Sequence, residues 1–369
     1  MFRSIARKMA ETAAKRLKTD VTVGTHNGHF HADEALAVYM LRQHVPQYIG
    51  ARLVRSRDPA VLNECSIVVD VGGEYDPARN RFDHHQRSFA TTFPGRQTRL
   101  SSAGLVYLHF GRGIIARKLG QPEESEPVGL VWNKLYESFI EALDAHDNGI
   151  NVYDPERLKS AGLEKRFSDG SFTLGALVGR LNPNWNDPIP EDPVEAQAQE
   201  DSRFEQASQR IGEEFDRSLE YYTLSWLPAR DLVADAFKAR YEWDSEGRIM
   251  VFKGQSPPWK DHLYALEEQD PDANQVYYVL YPEKPVEGSK WRVQCVPVTK
   301  DSFESRKPLP EHWRGFRDEE LDRTSGVSGC VFVHASGFIG GNKTFEGALA
   351  MAKRALELER LEELSMDLP

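Results

Sequence analysis

Four separated stretches of this chain hold imidazoles and carboxylates that could share metal ions. The first, Thr25-His26-Asn27-Gly28-His29-Phe30-His31-Ala32-Asp33-Glu34, carries three His and an Asp on a glycine-containing segment. The second is Asp70, just after the apolar run Ile67-Val68-Val69, and the third is Asp83-His84-His85. The fourth is Asp144-Ala145-His146-Asp147, ahead of Asn148-Gly149. All these donors are nitrogen or oxygen, with no thiolate. That set suits Mn²⁺, Mg²⁺ or Zn²⁺, and Mn²⁺ best where imidazole and carboxylate mix in an open site. Two such cations about 3.5–4 Å apart can hold both the attacking hydroxide and the leaving oxygen of a phosphoester. Metal-assisted phosphoester hydrolysis is the chemistry these residues suggest.

Each patch also has a plain structural reading. Asp33 at a helix start would cap backbone N–H groups, and Asp70 could close an Asx turn. A carboxylate at the end of a central strand is equally suited to bridge two cations. Adjacent side chains of an extended segment point to opposite sides. His84 and His85 are therefore expected to do different jobs, one ligating and one facing substrate, with Asp83 orienting an imidazole from behind. Asp144 and Asp147 are neighbours on one helix face, at a C-terminus where the dipole disfavours carboxylates. A cation partner would explain them. Asp147 is the preferred ligand, with Asp144 the alternative. Arg79, Arg81 and Arg87 add phosphate-compatible charge around the third patch. No serine nucleophile with base and orienter, and no Walker-type loop, accompanies these patches.

These residues need elements to position them. Val21–Thr25, Arg52–Arg55 and Ser66–Asp70 read as strands; Asp33–Val45, Ser101–Leu119 and Val128–Gly149 read as helices, Gly111 and Gly113 being possible breaks in the second. Strands alternating with helices imply βαβ units and a mainly parallel sheet flanked by helices. Ligands of such sheets sit at the carboxyl ends of the strands, where Thr25-His26 and Asp70 both fall. Asn182–Pro193 carries four prolines, and a long helix is expected over Val194–Tyr222. Beyond it, Ile249–Phe252, Val276–Tyr281, Trp291–Pro297 and Cys330–His334 read as strands and Thr344–Leu364 as a closing helix. The expected organisation is a basic extension (1–19), an α/β catalytic domain with connecting helix (20–225) and a smaller α+β substrate-binding domain (226–369).

The second half supplies His334-Ala335-Ser336-Gly337-Phe338-Ile339-Gly340-Gly341-Asn342-Lys343-Thr344. Glycines before a helix let backbone N–H groups approach an anion, and Lys343 adds a charge. Trp313, Arg314, Phe316 and Arg317 could stack on and pair with a nucleic-acid strand. Arg180-Leu181-Asn182-Pro183-Asn184-Trp185-Asn186 resembles a polar substrate loop.

The 369 residues are 40% hydrophobic and 28% charged, enough apolar material for packed cores. A net charge of −11 argues against broad nonspecific binding to nucleic acid or membranes, while leaving room for a local basic groove. The three cysteines, Cys65, Cys295 and Cys330, form no CxxC pair, which fits a reducing compartment. No apolar run approaches the roughly 18 residues of a membrane span. In the first 18 residues Arg3, Arg7, Lys8, Lys15, Arg16 and Lys18 face one acid, Glu11. That is the pattern of a mitochondrial presequence or of a nuclear-type basic patch.

The motifs THNGHFHADEALA, VVDVGGEYDP, RFDHHQRSF, LSSAGLVY, EALDAHDNGI, GRLNPNWN and HASGFIGGNKT occur in this order. In them the chain resembles the DHH phosphoesterase superfamily and, within it, the melanocyte-proliferating-gene exonuclease family, over about residues 20–360. The resemblance implies a DHH fold with a C-terminal substrate-binding domain. It also implies Mn²⁺-dependent 3′→5′ exonuclease activity on single-stranded RNA, in mitochondria and nucleus. Carried onto this sequence, His26, His31 and Asp70 would hold one cation, and Asp33, Asp70, His84 and Asp147 the second. Asp70 would bridge, His85 would contact the scissile phosphate, and Asp83 would stand behind it. Arg87, Ser102, Arg180, Asn182, His334, Ser336, Gly340, Gly341 and Lys343 are the expected substrate contacts. One departure stands out: superfamily relatives usually place Asp-x-Asp where this chain has His31-x-Asp33, so His29 is an alternative to His26. Rival readings are a metallo-β-lactamase-like site built on His29-x-His31-x-Asp33, a phosphoesterase acting on DNA, short oligonucleotides, cyclic dinucleotides or pyrophosphate, and a non-catalytic scaffold.

Overall fold

The computed structural model describes residues 21–366 apart from 169 and 272, with side chains as far as residue 358. The basic extension 1–19 lies outside the described residues. Strand β1 (Thr22–Thr25) leads into helix α1 (Ala32–His44), followed by β2 (Arg52–Arg55), β3 (Ile67–Val69) and the short strands β4 (Tyr75–Asp76) and β5 (Arg81–Phe82). The sheet order is β2-β1-β3-β5-β4. Pairs β1–β2, β1–β3 and β3–β5 are parallel, and only edge strand β4 runs antiparallel. The expected mainly parallel sheet is present. Its centre is apolar because both faces are covered there: Val23, Ile67, Val69 and Phe82 are almost fully buried, whereas edge strand β2 carries Arg52 and Arg55.

Helix α2 (Ser102–Leu119) runs through Gly111 and Gly113 without a break. The helix expected over Val128–Gly149 is instead two, α3 (Glu126–Leu135) and α4 (Glu141–Asp147), joined by a π-helical turn at Tyr136–Ile140. Such turns re-aim a helix and are frequent at functional sites. Here the turn carries Tyr136, whose ring stacks on Phe93 with centroids 3.7 Å apart. Helix α5 (Leu174–Gly179) follows, then the long helix α6 (Pro193–Tyr221), started by Asp192 accepting from the Val194 N–H with Pro193 in the first turn.

Two compact units meet in sequence between Thr223 and Leu224. The second holds α7 (Leu227–Lys238), β6 (Ile249–Val251), α8 (Lys260–Gln269), β7 (Tyr278–Pro282), β8 (Trp291–Cys295), α9 (Asp318–Ser325), β9 (Cys330–Val333), β10 (Ile339–Asn342) and α10 (Phe345–Met366). Its sheet order is β6-β7-β8-β10-β9, antiparallel except for β6–β7. This α+β unit overturns part of the sequence reading. Gly340 and Gly341 do not open a helix; they lie inside β10, paired with β8 and β9. A Cβ on Gly341 would stand 2.9 Å from the Trp291 carbonyl oxygen, so the residue is glycine for close packing and its amide faces a strand rather than an anion. Trp313 is fully buried in the core instead of stacking on a ligand, and Arg314 donates through Nε to the Leu309 carbonyl. His334, Ser336 and Lys343 are exposed, and His334 Nδ1 lies 2.8 Å from the Ser336 hydroxyl. Among the described residues no helix is long and apolar enough to cross a membrane.

In the first unit α1 and α6 cross closely at Gly212, where a Cβ would come within 2.1 Å of the Tyr39 ring. Tyr39 in turn donates through its hydroxyl to Asp216 at 2.7 Å, and so cannot swing aside freely. Gly212→Ala is therefore expected to lower unfolding free energy by about 1–3 kcal/mol, in the range of core overpacking. Urea denaturation checks this, and a midpoint equal to wild type would contradict it.

Candidate functional site

The carboxyl ends of the three adjacent parallel strands β1, β3 and β5 deliver His26, Asp70 and Asp83-His84-His85 to one cavity of about 820 Å³. Asp70 is the pivot. It has φ +60°, a left-handed conformation that costs most residues energy but that Asp tolerates better than most. Its carboxylate is buried, with Oδ1 accepting from the Ser102 hydroxyl at 3.0 Å. On one side Asp70 Oδ2 lies 3.4 Å from His26 Nε2; on the other, Oδ1 lies 3.2 Å from His84 Nε2. His84 Nε2 is also 3.1 Å from Asp147 Oδ2, and His26 Nε2 is 3.1 Å from Glu34 Oε1.

Helix α1 supplies the remaining carboxylates from its first turn, where the positive end of the helix favours negative charge. Glu34 Oε1 accepts from the His31 N–H at 2.7 Å. Asp33 is 1% exposed, and neither of its carboxylate oxygens has a hydrogen-bond partner. His84 Nε2, although near two carboxylates, likewise completes no hydrogen bond. These donor atoms converge on a shared space more than on one another. Three ligand groups result: His26, His31, Glu34 and Asp70; Asp33, His84 and Asp147; and Asp70, His84 and His85, with the offered atoms in each group within 4.8 Å. Buried carboxylates without partners are unfavourable, and a divalent cation removes that cost. The donor set fits one.

The titration behaviour expresses the same excess of negative charge. Burial, then Asp70, Asp147 and Glu34, push the Asp33 carboxyl well above the usual range. Burial alone would lower both buried histidines, yet the adjacent carboxylates of Asp70 and Glu34 carry His26 up to about 10. Asp147 and Asp70 do the same for His84, again to about 10. Burial would raise Asp70, but the two histidines outweigh it and hold its carboxyl low. Protons on the imidazoles supply the positive charge that cations would otherwise bring.

His85 differs from its neighbour. Its side chain is 61% exposed, and its Nδ1 lies 2.7 Å from Asp83 Oδ1, which also accepts the His85 N–H. Asp83 is buried and further held by the Gly73 N–H. Its hydrogen bond raises the His85 pKa against the opposing effect of burial. Although His85 falls in one ligand group, its Nδ1 is taken by Asp83.

The other expected residues divide. His29 is exposed and belongs to no ligand group among the described residues, and His31 belongs to one. Asp147 faces His84, whereas Asp144 faces away: Oδ1 accepts from the Ser101 N–H, the Ser101 hydroxyl and the Gly104 N–H, and Oδ2 from the Tyr136 hydroxyl. Burial pushes Asp144 up to about 7 against those donors. Arg87 is exposed on the cavity wall. Two expected substrate contacts are corrected. Ser102 is fully buried and holds Asp70, and Asn182 is buried and brackets Phe30 by accepting its N–H and donating to its carbonyl. Arg180 is exposed but lines a different groove, with Gln206 and Arg210. Sequence reading passed over Glu34 as a ligand, although its place beside Asp33 on α1 was visible. It also passed over Arg57 and Arg99, which line the cavity.

A family model, MYG1_exonuc, described as Uncharacterised protein family (UPF0160), matches residues 22–356. The chain belongs to this family. The human MYG1 exonuclease is 48% identical over 347 residues, covering 92% of this chain and 87% of the human protein. The fission yeast MYG1 protein C694.04c is 48% identical over 340 residues, covering 91% of this chain and 98% of its own. A solved structure of exonuclease RecJ bound to manganese covers 97% of this chain and 94% of its own, at 13% identity and a TM-score of 0.25.

Because the Asp33 carboxyl is raised in the folded state, holding its charge or taking up a proton to remove it opposes folding at neutral pH in the absence of cations, and Asp33→Asn is expected to raise the melting temperature in EDTA. In the wild type, Mn²⁺ at a hundred times its Kd should add about 2.7 kcal/mol for each cation bound, and the share from the position beside Asp33 should be lost in the variant. Calorimetry with and without Mn²⁺ reads both effects; a variant less stable than wild type in EDTA would contradict the account.

Proposed function

We propose that this protein is a metal-dependent phosphodiesterase that removes nucleotides from the 3′ end of single-stranded RNA, using two divalent cations, Mn²⁺ foremost. The observation that carries this reading is Asp70 set between His26 and His84, with partnerless Asp33 beside them. The names of the relatives support the exonuclease class. His26, His31, Glu34 and Asp70 would hold one cation, and Asp33, Asp70, His84 and Asp147 the other. Cations there supply the Lewis acidity that activates water and offsets charge on the phosphoester.

The chain's own groups do the rest. His85, exposed in the cavity and fixed through Nδ1 by Asp83, keeps its other nitrogen for the scissile phosphate or the leaving oxygen. Arg87 and Arg99 offset phosphate charge at the wall, while Ser102 fixes the carboxylate on which both cation positions depend. Exposed His334, Ser336 and Lys343 support a role for the second unit in holding the strand. The basic residues Arg3 to Lys18 support delivery to mitochondria or nucleus.

The test uses 5′- and 3′-labelled RNA, single-stranded DNA, short oligonucleotides and pyrophosphate with Mn²⁺. Stepwise loss from the RNA 3′ end, abolished by EDTA, is the expected result. His85→Ala should lower kcat by about 10²–10⁴ with Mn²⁺ binding retained. Turnover of pyrophosphate alone would move the reading to a small-molecule phosphoesterase, and no turnover with any metal would overturn it.

A further inference from the structure

Arg57 stands where two cavities of the first unit adjoin. It lines the metal-ligand cavity and also a pocket of about 480 Å³ walled by Pro183, Pro188, Ile189 and Pro193, with the amides of Asn27 and Gln197 at its lining. Among the described residues its guanidinium has one polar neighbour, His26 Nδ1 at 3.2 Å from Nη2, and no carboxylate. A hydrogen bond there conflicts with the role of His26. Whether Nε2 of a protonated ring donates to Glu34 and Asp70 or Nε2 of a neutral ring offers its lone pair to a cation held among them, Nδ1 must carry a proton. The Asn27 carbonyl, 3.1 Å away, is placed to accept it. Nδ1 then has no lone pair for Arg57, and two donors face each other. Arg57 is therefore left without an acceptor at His26, with or without cations, and its guanidinium is free for an anionic partner.

A free guanidinium between two cavities is a planar, bidentate phosphate ligand. The pocket behind it is not built for a second phosphate. Asp187 lines it, although Arg203 and the Asn184 N–H donate to that carboxylate at 3.0 Å each. Glu200 lines it too, accepting from the Gly28 N–H at 3.1 Å. What remains is a proline-and-isoleucine wall with the Asn27 side-chain oxygen and the Gln199 side chain at its lining, Gln197 being bonded to Asn27, Glu200 and Asp201; such a surface can stack a base and read its edge. Its volume lies within the ~300–1,000 Å³ of small-ligand pockets.

We propose that Arg57 binds the phosphate next to the scissile one and that the adjoining pocket takes the neighbouring nucleoside. The site then selects substrates of two or more nucleotides over a lone phosphate ester. This rests on the phosphodiesterase reading, and a binding measurement separates the two. The probe is a fluorescein-labelled phosphorothioate diribonucleotide, followed by anisotropy in Mn²⁺. Arg57→Ala, and Ala196→Trp to fill the pocket from helix α6, are each expected to weaken its binding at least tenfold, with Arg57→Lys intermediate. The Mn²⁺ midpoint should stay within twofold of wild type. Unchanged dinucleotide affinity in either variant overturns the proposal. So does a fall in Mn²⁺ affinity in Arg57→Ala that matches the loss of dinucleotide, because Arg57 would then serve only His26. Weakened binding in the variants, together with no turnover of any phosphodiester by wild type, supports the subsite and counts against the phosphodiesterase reading alone.

Discussion

The first unit is organised around a repulsion. Asp33, Glu34, Asp70 and Asp147 are brought to one small space, and three of them are buried. Like charges in a medium of low polarity oppose folding strongly, so the surrounding structure has to hold them there. It does so with secondary-structure ends. Parallel strands stop side by side with their carboxyl ends in register, and α1 turns its positive end toward the same point. Protonated His26 and His84 balance the charge without cations; divalent ions would balance it too and would leave the imidazoles neutral as ligands.

Groups with no direct part in ligation keep this arrangement rigid. Buried Arg55 donates to the carbonyls of His26 and Gly28 and stacks over Phe204, pinning the segment that follows β1. Asn182 brackets Phe30 within the same segment. Asp144 ties α4 to the start of α2 through Ser101 and Gly104, and a Cβ on Gly104 would overlap its carboxylate. Ser102, one residue into that anchored start, then holds Asp70. Asp147 is carried by the same short helix as Asp144, so one anchor sets both Asp70 and Asp147.

The sequence made the ligand patches readable because each lies at an element end announced by an apolar run. Ile67-Val68-Val69 before Asp70 and the periodic stretch after Asp33 are local signals, and the parallel sheet followed from their alternation. What sequence could not show was direction. In sequence only its place beside Asn148-Gly149 favours Asp147 over Asp144; the fold turns Asp144 to Ser101, Gly104 and Tyr136 and sets Asp147 beside His84. Ser102 and Asn182 read as substrate contacts because their partners lie 32 and 152 positions away and sequence does not show them. Gly340 and Gly341 read as an anion loop because glycine in a strand interior is uncommon; the bulky Trp291 and Phe332 flanks explain it only once β8, β9 and β10 are paired. Glu34 was visible throughout, but only the fold shows its Oε1 beside His26 Nε2 and its second oxygen without a partner.

The central claim is that the negative charge gathered by β1, β3, β5, α1 and α4 exists to hold two divalent cations on either side of Asp70. Anomalous scattering at the manganese edge from crystals grown with Mn²⁺ tests this most directly. The account predicts two peaks about 3.5–4 Å apart, one beside His26 and Glu34 and the other beside His84, Asp33 and Asp147. A single peak away from Asp70, or no peak in this cavity, would contradict it.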